Sequence, residues 1–200
     1  MNKPKVVIFD IDDTLISFTS FLCTLYYKEK GILISEEDLS WELVYKEGRD
    51  SKDKIKYNSD VHTLYKKYER NGLYTSMPAL YGSKETLEYL SKLGYKLIIL
   101  TARPKKFKNE TLLYFLNNRL KFDKIIHNHD KASEIKRLSK SYEIICFADD
   151  KLSTVRDVAS NCKIKHIFLI NRPHNRGKKT SKKIKRINNV LECVKWIKHD

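Results

Sequence analysis

The sequence has few cysteines and no long apolar run. The first observation argues against a zinc site or a disulfide framework, and the second against a membrane-spanning helix. Its cysteines are scattered and lack the paired spacing that zinc sites require. They are Cys23, Cys146, Cys162 and Cys193. Cys146 and Cys193 stand among apolar residues, which predicts buried thiols and a reducing, cytoplasmic location. No apolar run approaches the ~20 residues of a membrane helix, and aspartates interrupt the N-terminal apolar stretch too early for a signal peptide.

Acidic residues are fewer than basic ones. The chain has 40 Lys and Arg but only 25 Asp and Glu, which gives a formal net charge of +15. A basic surface attracts phosphorylated ligands and could bind nucleic acid. Lysine greatly outnumbers arginine, which favours compositional drift over base recognition, where bidentate arginine is preferred. Both interpretations of the charge stay open. With 41% hydrophobic residues in 200, the chain is globular and suits one domain, or one domain with an insert.

A charged segment follows the first apolar run of the chain. Residues 6–9 read as a buried strand, and Asp10, Asp12 and Asp13 come directly after it. Burying these carboxylates at the centre of a sheet costs free energy unless their charge is neutralised. Mg²⁺ could neutralise it, because this ion binds one or two carboxylates and keeps its other coordination positions for water and phosphate oxygens. Side chains at i and i+2 of a strand share a face, so Asp10 could attack phosphorus while Asp12 handles the proton. A solvated loop is the alternative for this segment alone.

Three further polar fragments stand at the ends of predicted strands or at the start of a predicted helix. Thr101 follows the apolar run 97–100, Asp149-Asp150 follows 144–148, and Lys131 opens a helical pattern after a short strand. Ligands bind at the C-terminal ends of the strands in an open α/β sheet. Taken singly, the threonine could merely end a strand and the lysine could be solvated; together the fragments indicate a site.

The order of predicted elements defines the fold class. Strands are predicted near 5–9, 96–101, 123–127, 144–148 and 164–170, with helical patterns between them. Nearly continuous apolar strands indicate a parallel sheet covered on both faces. We therefore predict an α/β fold, a doubly wound Rossmann-like sheet of five core strands. The apolar residues at helical spacing in 109–120 are predicted to face the core; they are Leu112, Leu113, Phe115, Leu116 and Leu120. Residues 183–198 are predicted to form an amphipathic helix packed on the sheet.

Residues 16–77 interrupt the strand–helix alternation. Ser35, followed by three acidic residues, is typical of a helix start, and aromatic residues between Tyr57 and Tyr68 recur at helical spacing. We interpret this insert as a small helical cap. Residues 1–15 and 78–200 then form the main domain.

In their order along the chain, the four fragments resemble the four motifs of the haloacid dehalogenase-like (HAD) phosphohydrolases. The segment from Asp10 to Leu15 is similar to motif one, Thr101 to motif two, Lys131 to motif three and Asp149-Asp150 to motif four. The resemblance covers nearly the whole chain. It implies an HAD-like sheet with the first strand central, the second and third on one side, the fourth and fifth on the other, and a cap of the C1 type after the first strand.

The resemblance also implies the chemistry, a Mg²⁺-dependent hydrolysis of phosphomonoesters through an aspartyl-phosphate. Asp10 would be the nucleophile, and Asp12 would protonate the leaving oxygen and later deprotonate water. Mg²⁺ would be held by Asp10, the backbone carbonyl of Asp12, and Asp150. Asp149 is the second choice as a metal ligand.

Phosphate binding falls to the other two motifs. Thr101 would donate its hydroxyl to a phosphate oxygen, together with the backbone N–H of Ala102. Lys131 would contact both the phosphate and Asp10, offsetting the repulsion between nucleophile and substrate. Arg103 could reach the substrate or could be an exposed residue after a strand.

Further fragments resemble the 5'(3')-deoxyribonucleotidases and their bacterial and phage relatives, among them residues 15–18, 130–132, 170–176 and 186–189. The vertebrate members carry Gly-Val at 13–14. In that family an aromatic at the position of Phe18 contacts the nucleobase, which is sensible because every base offers a π face. Trp41 is a second candidate for this contact, and core packing is the alternative for both. The implied partner is a small phosphorylated metabolite, a (deoxy)nucleoside monophosphate.

Two other functions are compatible with the sequence. A phosphatase of polynucleotide 3' ends is favoured by the net charge but disfavoured by the cap, which restricts access. A catalytically silent nucleic-acid-binding protein on the same scaffold is disfavoured by the intact set of motif residues.

Overall fold

A computed structural model describes residues 3–39 and 52–198, apart from the side chains of 52–56 and 58. The strands in this part of the chain are β1 (Lys5–Phe9), β2 (Lys96–Thr101), β3 (Lys124–His127), β4 (Glu143–Asp149), β5 (His166–Ile170) and β6 (Ile184–Ile187). They form one parallel sheet in the order β3-β2-β1-β4-β5-β6. The predicted strand order around a central β1 is confirmed, with one strand more than predicted.

Helices cover both faces of the sheet. They are α1 (Phe18–Lys30), α2 (Lys52–Glu69), α3 (Leu73–Ser76), α4 (Ser83–Lys92), α5 (Lys108–Asn117), α6 (Lys131–Leu138), α7 (Leu152–Asn161) and α8 (Val194–Ile197). Along β1, Val7 and Phe9 belong to one buried apolar cluster, whereas Val6 and Ile8 belong to another. Successive side chains of a strand point to opposite faces, so the two clusters lie on opposite sides of the sheet. This arrangement confirms the doubly wound α/β fold.

The prediction of one helix over 183–198 is wrong in its first part. Ile184–Ile187 is strand β6, paired with β5, and helix α8 is confined to Val194–Ile197. Ile184 and Ile187 are three residues apart, so they would share one side of a helix, but in a strand they point to opposite faces. Both are buried here, one in each cluster, because both faces of the sheet are covered.

The apolar stripe predicted for 109–120 is also partly wrong. Leu112, Leu113 and Leu116 are exposed, whereas Tyr114 and Phe115 on the same helix are fully buried. Phe115, and Leu120 beyond the end of α5, are buried as predicted, whereas the three exposed leucines lie on the side of the helix that faces solvent.

The two ends of the predicted insert, near residues 16 and 77, lie side by side. The N–H of Ser17 donates to the carbonyl of Pro78 at 2.9 Å, and the N–H of Leu80 donates to the carbonyl of Leu15 at 2.9 Å. Between these points lie α1, a 3-10 turn at Glu36–Asp38 where a helix start was predicted, α2 and α3.

The cysteines and the helices answer two questions raised by the composition. Cys146 and Cys193 are buried as predicted, and each cysteine of the chain is a free thiol. The helices in the described residues include none that is long and apolar enough to cross a bilayer.

Candidate active site

Asp10 stands where β1 ends, at the centre of the sheet. Its N–H donates to the carbonyl of Ala148 at 3.0 Å, which holds it beside the end of β4. The chain then turns sharply, since the N–H groups of Thr14, Leu15 and Ile16 all point to the carbonyl of Ile11. Asp10 is only 6% exposed, so its carboxylate lies at the bottom of the crevice where winding of the sheet changes direction.

Asp13, which carries no assigned role in the sequence motifs, holds this turn to the insert. Its backbone is in the left-handed region, with φ of 54°, and its carboxylate accepts the N–H groups of Phe18 at 2.9 Å and Thr19 at 2.8 Å. Burial and the charge of Asp150 raise the pKa of Asp13 to about 7, against the opposing effect of the bonds from Thr19. The carboxylate thus satisfies N–H groups at the start of α1.

Lys131 brings a buried ammonium group to Asp10. Its Nζ donates to Asp10 and, at 2.6 Å, to Asp149, whose other oxygen accepts the N–H of Lys151 at 2.7 Å. Burial alone would lower the pKa of Lys131, but the charges of the two aspartates raise it, so the side chain stays charged. Burial raises the pKa of Asp10 well above its usual value, and Lys131 opposes that shift.

Three carboxylates converge at this point. One oxygen each from Asp10, Asp149 and Asp150 lies within 4.8 Å of the others, and all three residues are buried. Carboxylate oxygens are the donors that hard divalent cations prefer. These side chains could therefore hold a metal ion, which would offset the electrostatic cost of burying three acids together.

Asp12 is bound by Arg103, for which the sequence left open a contact with substrate or an exposed position; the exposed position is wrong. Arg103 donates from Nε to one oxygen of Asp12 at 2.9 Å and from Nη2 to the other at 2.7 Å. Its guanidinium lies 4.3 Å from the ring centroid of Tyr74 in the insert. Arg103 is itself only 4% exposed. Sequence reasoning missed this pair because its members are 91 residues apart and no local pattern links them.

We expect the Asp12–Arg103 pair to couple strongly in unfolding. In a double-mutant cycle of Asp12→Asn and Arg103→Met, the coupling should reach about 1 to 2 kcal/mol, less than for a fully buried pair because Asp12 keeps 26% of its side chain exposed. Urea unfolding of the four proteins measures it. The exposed pair Lys96–Asp123 is the control, with coupling below about 1 kcal/mol. Equal coupling in both cycles would contradict the prediction.

Thr101 and Ala102 lie at the end of β2, the neighbour of β1. Thr101 is buried, and its hydroxyl oxygen accepts the N–H of Arg103 at 3.1 Å, which leaves the hydroxyl proton to be donated. His127 of β3 donates from Nδ1 to the carbonyl of Arg103 at 3.1 Å and so supports the same turn. Thr101 thus lies at the same edge of the sheet as Asp10, with Ala102 exposed beside it.

The two aromatic candidates for a base contact differ in what can be said of them. Phe18 is 4% exposed and packs edge-to-face on Tyr65 of α2, with 6.0 Å between ring centroids. In this arrangement its ring is part of the core. Trp41 lies outside the described residues.

A doubly wound parallel α/β sheet with three clustered carboxylates and a buried lysine where β1 and β4 end is suited to binding a phosphate together with a divalent cation. Comparison with known proteins identifies the family. The chain belongs to the HAD superfamily, subfamily IIIB (acid phosphatase), whose sequence model matches residues 1–175.

Individual relatives are distant. A protein of Oceanobacillus iheyensis with the provisional name of a nucleotidase, OB0422, is 24% identical over 188 residues, spanning 88% of this chain and 92% of its own. Among solved structures, the provisionally named HAD-hydrolase YfnB from Bacillus subtilis, bound to magnesium, aligns with a TM-score of 0.64 at 13% identity, covering 99% of this chain and 100% of that one. A provisionally named beta-phosphoglucomutase from Thermotoga maritima aligns with a TM-score of 0.61 at 17% identity over 98% and 99%. These structures share the fold.

Proposed function

We propose that this protein is a Mg²⁺-dependent phosphomonoester hydrolase that dephosphorylates (deoxy)nucleoside monophosphates through an aspartyl-phosphate. The observation that carries the proposal is the close approach of the buried side chains of Asp10, Asp149 and Asp150, with the ammonium of Lys131 bound to the first two. An ammonium and a divalent cation are the charges needed to bring an anionic phosphate to a carboxylate nucleophile.

Asp10, Asp150 and the backbone carbonyl of Asp12 would hold the metal. Asp149 is the weaker candidate because Lys131 binds one of its oxygens at 2.6 Å and the N–H of Lys151 binds the other at 2.7 Å, whereas Oδ1 of Asp150 has, among the described residues, only the longer contact with the Thr14 hydroxyl at 3.4 Å. The all-oxygen donor set fits Mg²⁺, which also accompanies the related fold of YfnB. When bound, the ion would neutralise charge on the phosphate oxygens.

Two aspartates would carry the reaction. An oxygen of Asp10 attacks phosphorus, the bond to the leaving oxygen breaks, and Asp12 supplies the proton that this oxygen takes up. Asp12 then accepts a proton from water, and the resulting hydroxide attacks phosphorus. The bond between the Asp10 oxygen and phosphorus breaks, which releases phosphate. Arg103 binds both oxygens of Asp12 in the structure, so one of these bonds would have to open when Asp12 carries a proton, while the other keeps the side chain oriented.

Thr101, the N–H of Ala102 and Lys131 would position the phosphate. All three end strands or begin a helix at the same edge of the sheet as Asp10. Lys131 already contacts Asp10, so it would keep the nucleophile aligned and reduce the repulsion of the incoming anion.

We further propose that residues 16–77 act as a cap over this crevice and determine the leaving group. The adjacent exit and return of the chain at 15–17 and 78–80, joined by hydrogen bonds, supports treating the insert as one unit. Phe18 packs on Tyr65 and is 4% exposed, so a contact with a nucleobase would require more of its ring to become accessible. Trp41 is the second candidate for this role. The name of the Oceanobacillus relative supports a nucleoside as the leaving group.

A substrate screen with purified protein tests the proposal. The panel contains 5'- and 3'-deoxynucleoside monophosphates, a 3'-phosphorylated oligonucleotide, sugar phosphates and an aryl phosphate, each with Mg²⁺ and with a chelator. We expect release of phosphate from the mononucleotides, abolished by the chelator. If only the oligonucleotide is hydrolysed, the nucleotidase proposal is wrong and the protein is a polynucleotide phosphatase. If only sugar phosphates are hydrolysed, the protein is still a phosphomonoester hydrolase, but the proposal of a nucleotide substrate is wrong.

A further inference from the structure

The loop that follows β5, residues 171–176, lies outside the four motifs yet contacts two of them. It contains Arg172, His174 and Asn175, and a 3-10 turn at Pro173–Asn175 gives it a fixed shape. Since β5 neighbours β4 in the sheet, this loop runs along the same edge as the acidic cluster.

His174 binds Asp150 through its side chain. Its Nε2 lies 3.0 Å from Oδ2 of Asp150 and 3.2 Å from the carbonyl oxygen of the same residue. Both are acceptors, so Nε2 is the nitrogen that carries the proton in this arrangement. Oδ2 of Asp150 therefore receives the imidazole N–H, and Oδ1 has a longer contact with the Thr14 hydroxyl at 3.4 Å.

Asn175 fixes the backbone of the same residue. Its side-chain amide donates to the carbonyl of Asp150 at 2.7 Å and to the carbonyl of Ile170 at 2.8 Å. Arg186 of β6 in turn donates to the oxygen of the Asn175 amide at 3.0 Å. Asn175 is only 1% exposed, so this bridge between the ends of β4 and β5 is shielded from water.

Arg172 extends the same loop to motif one. Its Nε donates to the carbonyl of Asp13 at 2.7 Å, and its Nη1 donates to the carbonyl of Asn188 at 3.1 Å. Residues 171–176 therefore contact both the turn that follows Asp10 and Asp150, a member of the acidic cluster. Neither contact is needed to form the parallel sheet itself.

From these contacts we infer that His174 is a positioning residue for the divalent metal, because it orients the carboxylate of Asp150 toward the ion. The inference rests on the proposed function. A carboxylate that can rotate must be ordered before it binds, whereas one held through its second oxygen is already in place. Removing such an outer partner of a metal ligand typically weakens metal binding 10- to 100-fold.

Calorimetric titration of Mg²⁺ into wild type, His174→Ala and His174→Gln tests the inference directly. We expect the dissociation constant to rise at least about tenfold in His174→Ala. His174→Gln should stay within about threefold of wild type, because its amide nitrogen can donate where Nε2 does. His166→Ala is the matched control, since His166 begins β5 at the end opposite to the cluster.

Kinetics separates positioning from a general loss of structure. In His174→Ala the Mg²⁺ concentration for half-maximal hydrolysis should rise in parallel with the dissociation constant, while kcat at saturating Mg²⁺ changes little. Mg²⁺ affinity within twofold of wild type in His174→Ala would overturn the inference and leave the hydrolase intact. If the wild-type protein neither binds Mg²⁺ nor requires it for hydrolysis, the proposed Mg²⁺-dependent function is itself wrong.

Discussion

Asp10→Asn is expected to lower hydrolysis of an aryl phosphate by about 10⁴-fold or more, while the protein stays folded. An amide nitrogen or oxygen cannot replace a carboxylate as the attacking group, although the side chain keeps its size. The fold should survive because Lys131 retains Asp149 as a partner, and removal of the Asp10 charge relieves the cost of burial that raises its pKa. Steady-state rates and urea unfolding measure the two effects.

Asp157→Asn is the matched control for this change. Asp157 is exposed on α7, so its substitution should alter neither the rate nor the unfolding midpoint. Undiminished activity in Asp10→Asn would remove Asp10 from the role of nucleophile. Loss of activity together with loss of the folded state would leave a structural role for Asp10 instead of a chemical one.

Lys131→Met should destabilise the protein by about 3 to 5 kcal/mol without divalent cation. The substitution leaves Asp10 and Asp149 buried without the ammonium to which both are bound. Carboxyl groups whose pKa is raised by folding contribute stability at low pH that is lost as the pH rises from about 4 toward neutrality. The variant should therefore lose more stability, relative to wild type, at pH 7 than at pH 5.

Mg²⁺ should restore part of this stability, because a divalent cation can neutralise the same carboxylates. Urea unfolding at both pH values, with and without Mg²⁺, measures the pattern. Lys136→Met on the exposed side of α6 is the control and should change stability by less than about 0.5 kcal/mol. If Lys131→Met behaved like this control, the buried charge cluster could not be the electrostatic centre of the site.

The predicted motif residues share one property that made them visible in the sequence. Each stands directly after an apolar run or at the start of a helical pattern, as Thr101 follows β2 and Lys131 opens α6. Strand ends are set by local apolar content, and parallel strands all end at one edge of the sheet. Asp10, Lys131 and Asp150 could therefore be assigned to one edge before any coordinates.

Other features depended on partners that are distant in the chain. The bond from Arg103 to Asp12 and the bond from His174 to Asp150 join segments that have no shared local pattern. The capping of α1 by Asp13 is local, but its signal was hidden because Asp13 lies within a motif and four residues before Ser17. Such pairings arise only when the sheet brings loops from different strands together.

By itself the sequence determined the parallel sheet, the position of the acidic residues at its edge and the family to which the chain belongs, because these follow from local apolar patterns and short motifs. Tertiary structure alone decided that Ile184–Ile187 is a strand, that α5 leaves three leucines in solvent, and which side chains bind Asp12 and Asp150. The reason is physical. Periodicity reports which residues of a segment are apolar, whereas the surface that covers them and the polar groups that meet them belong to other parts of the chain.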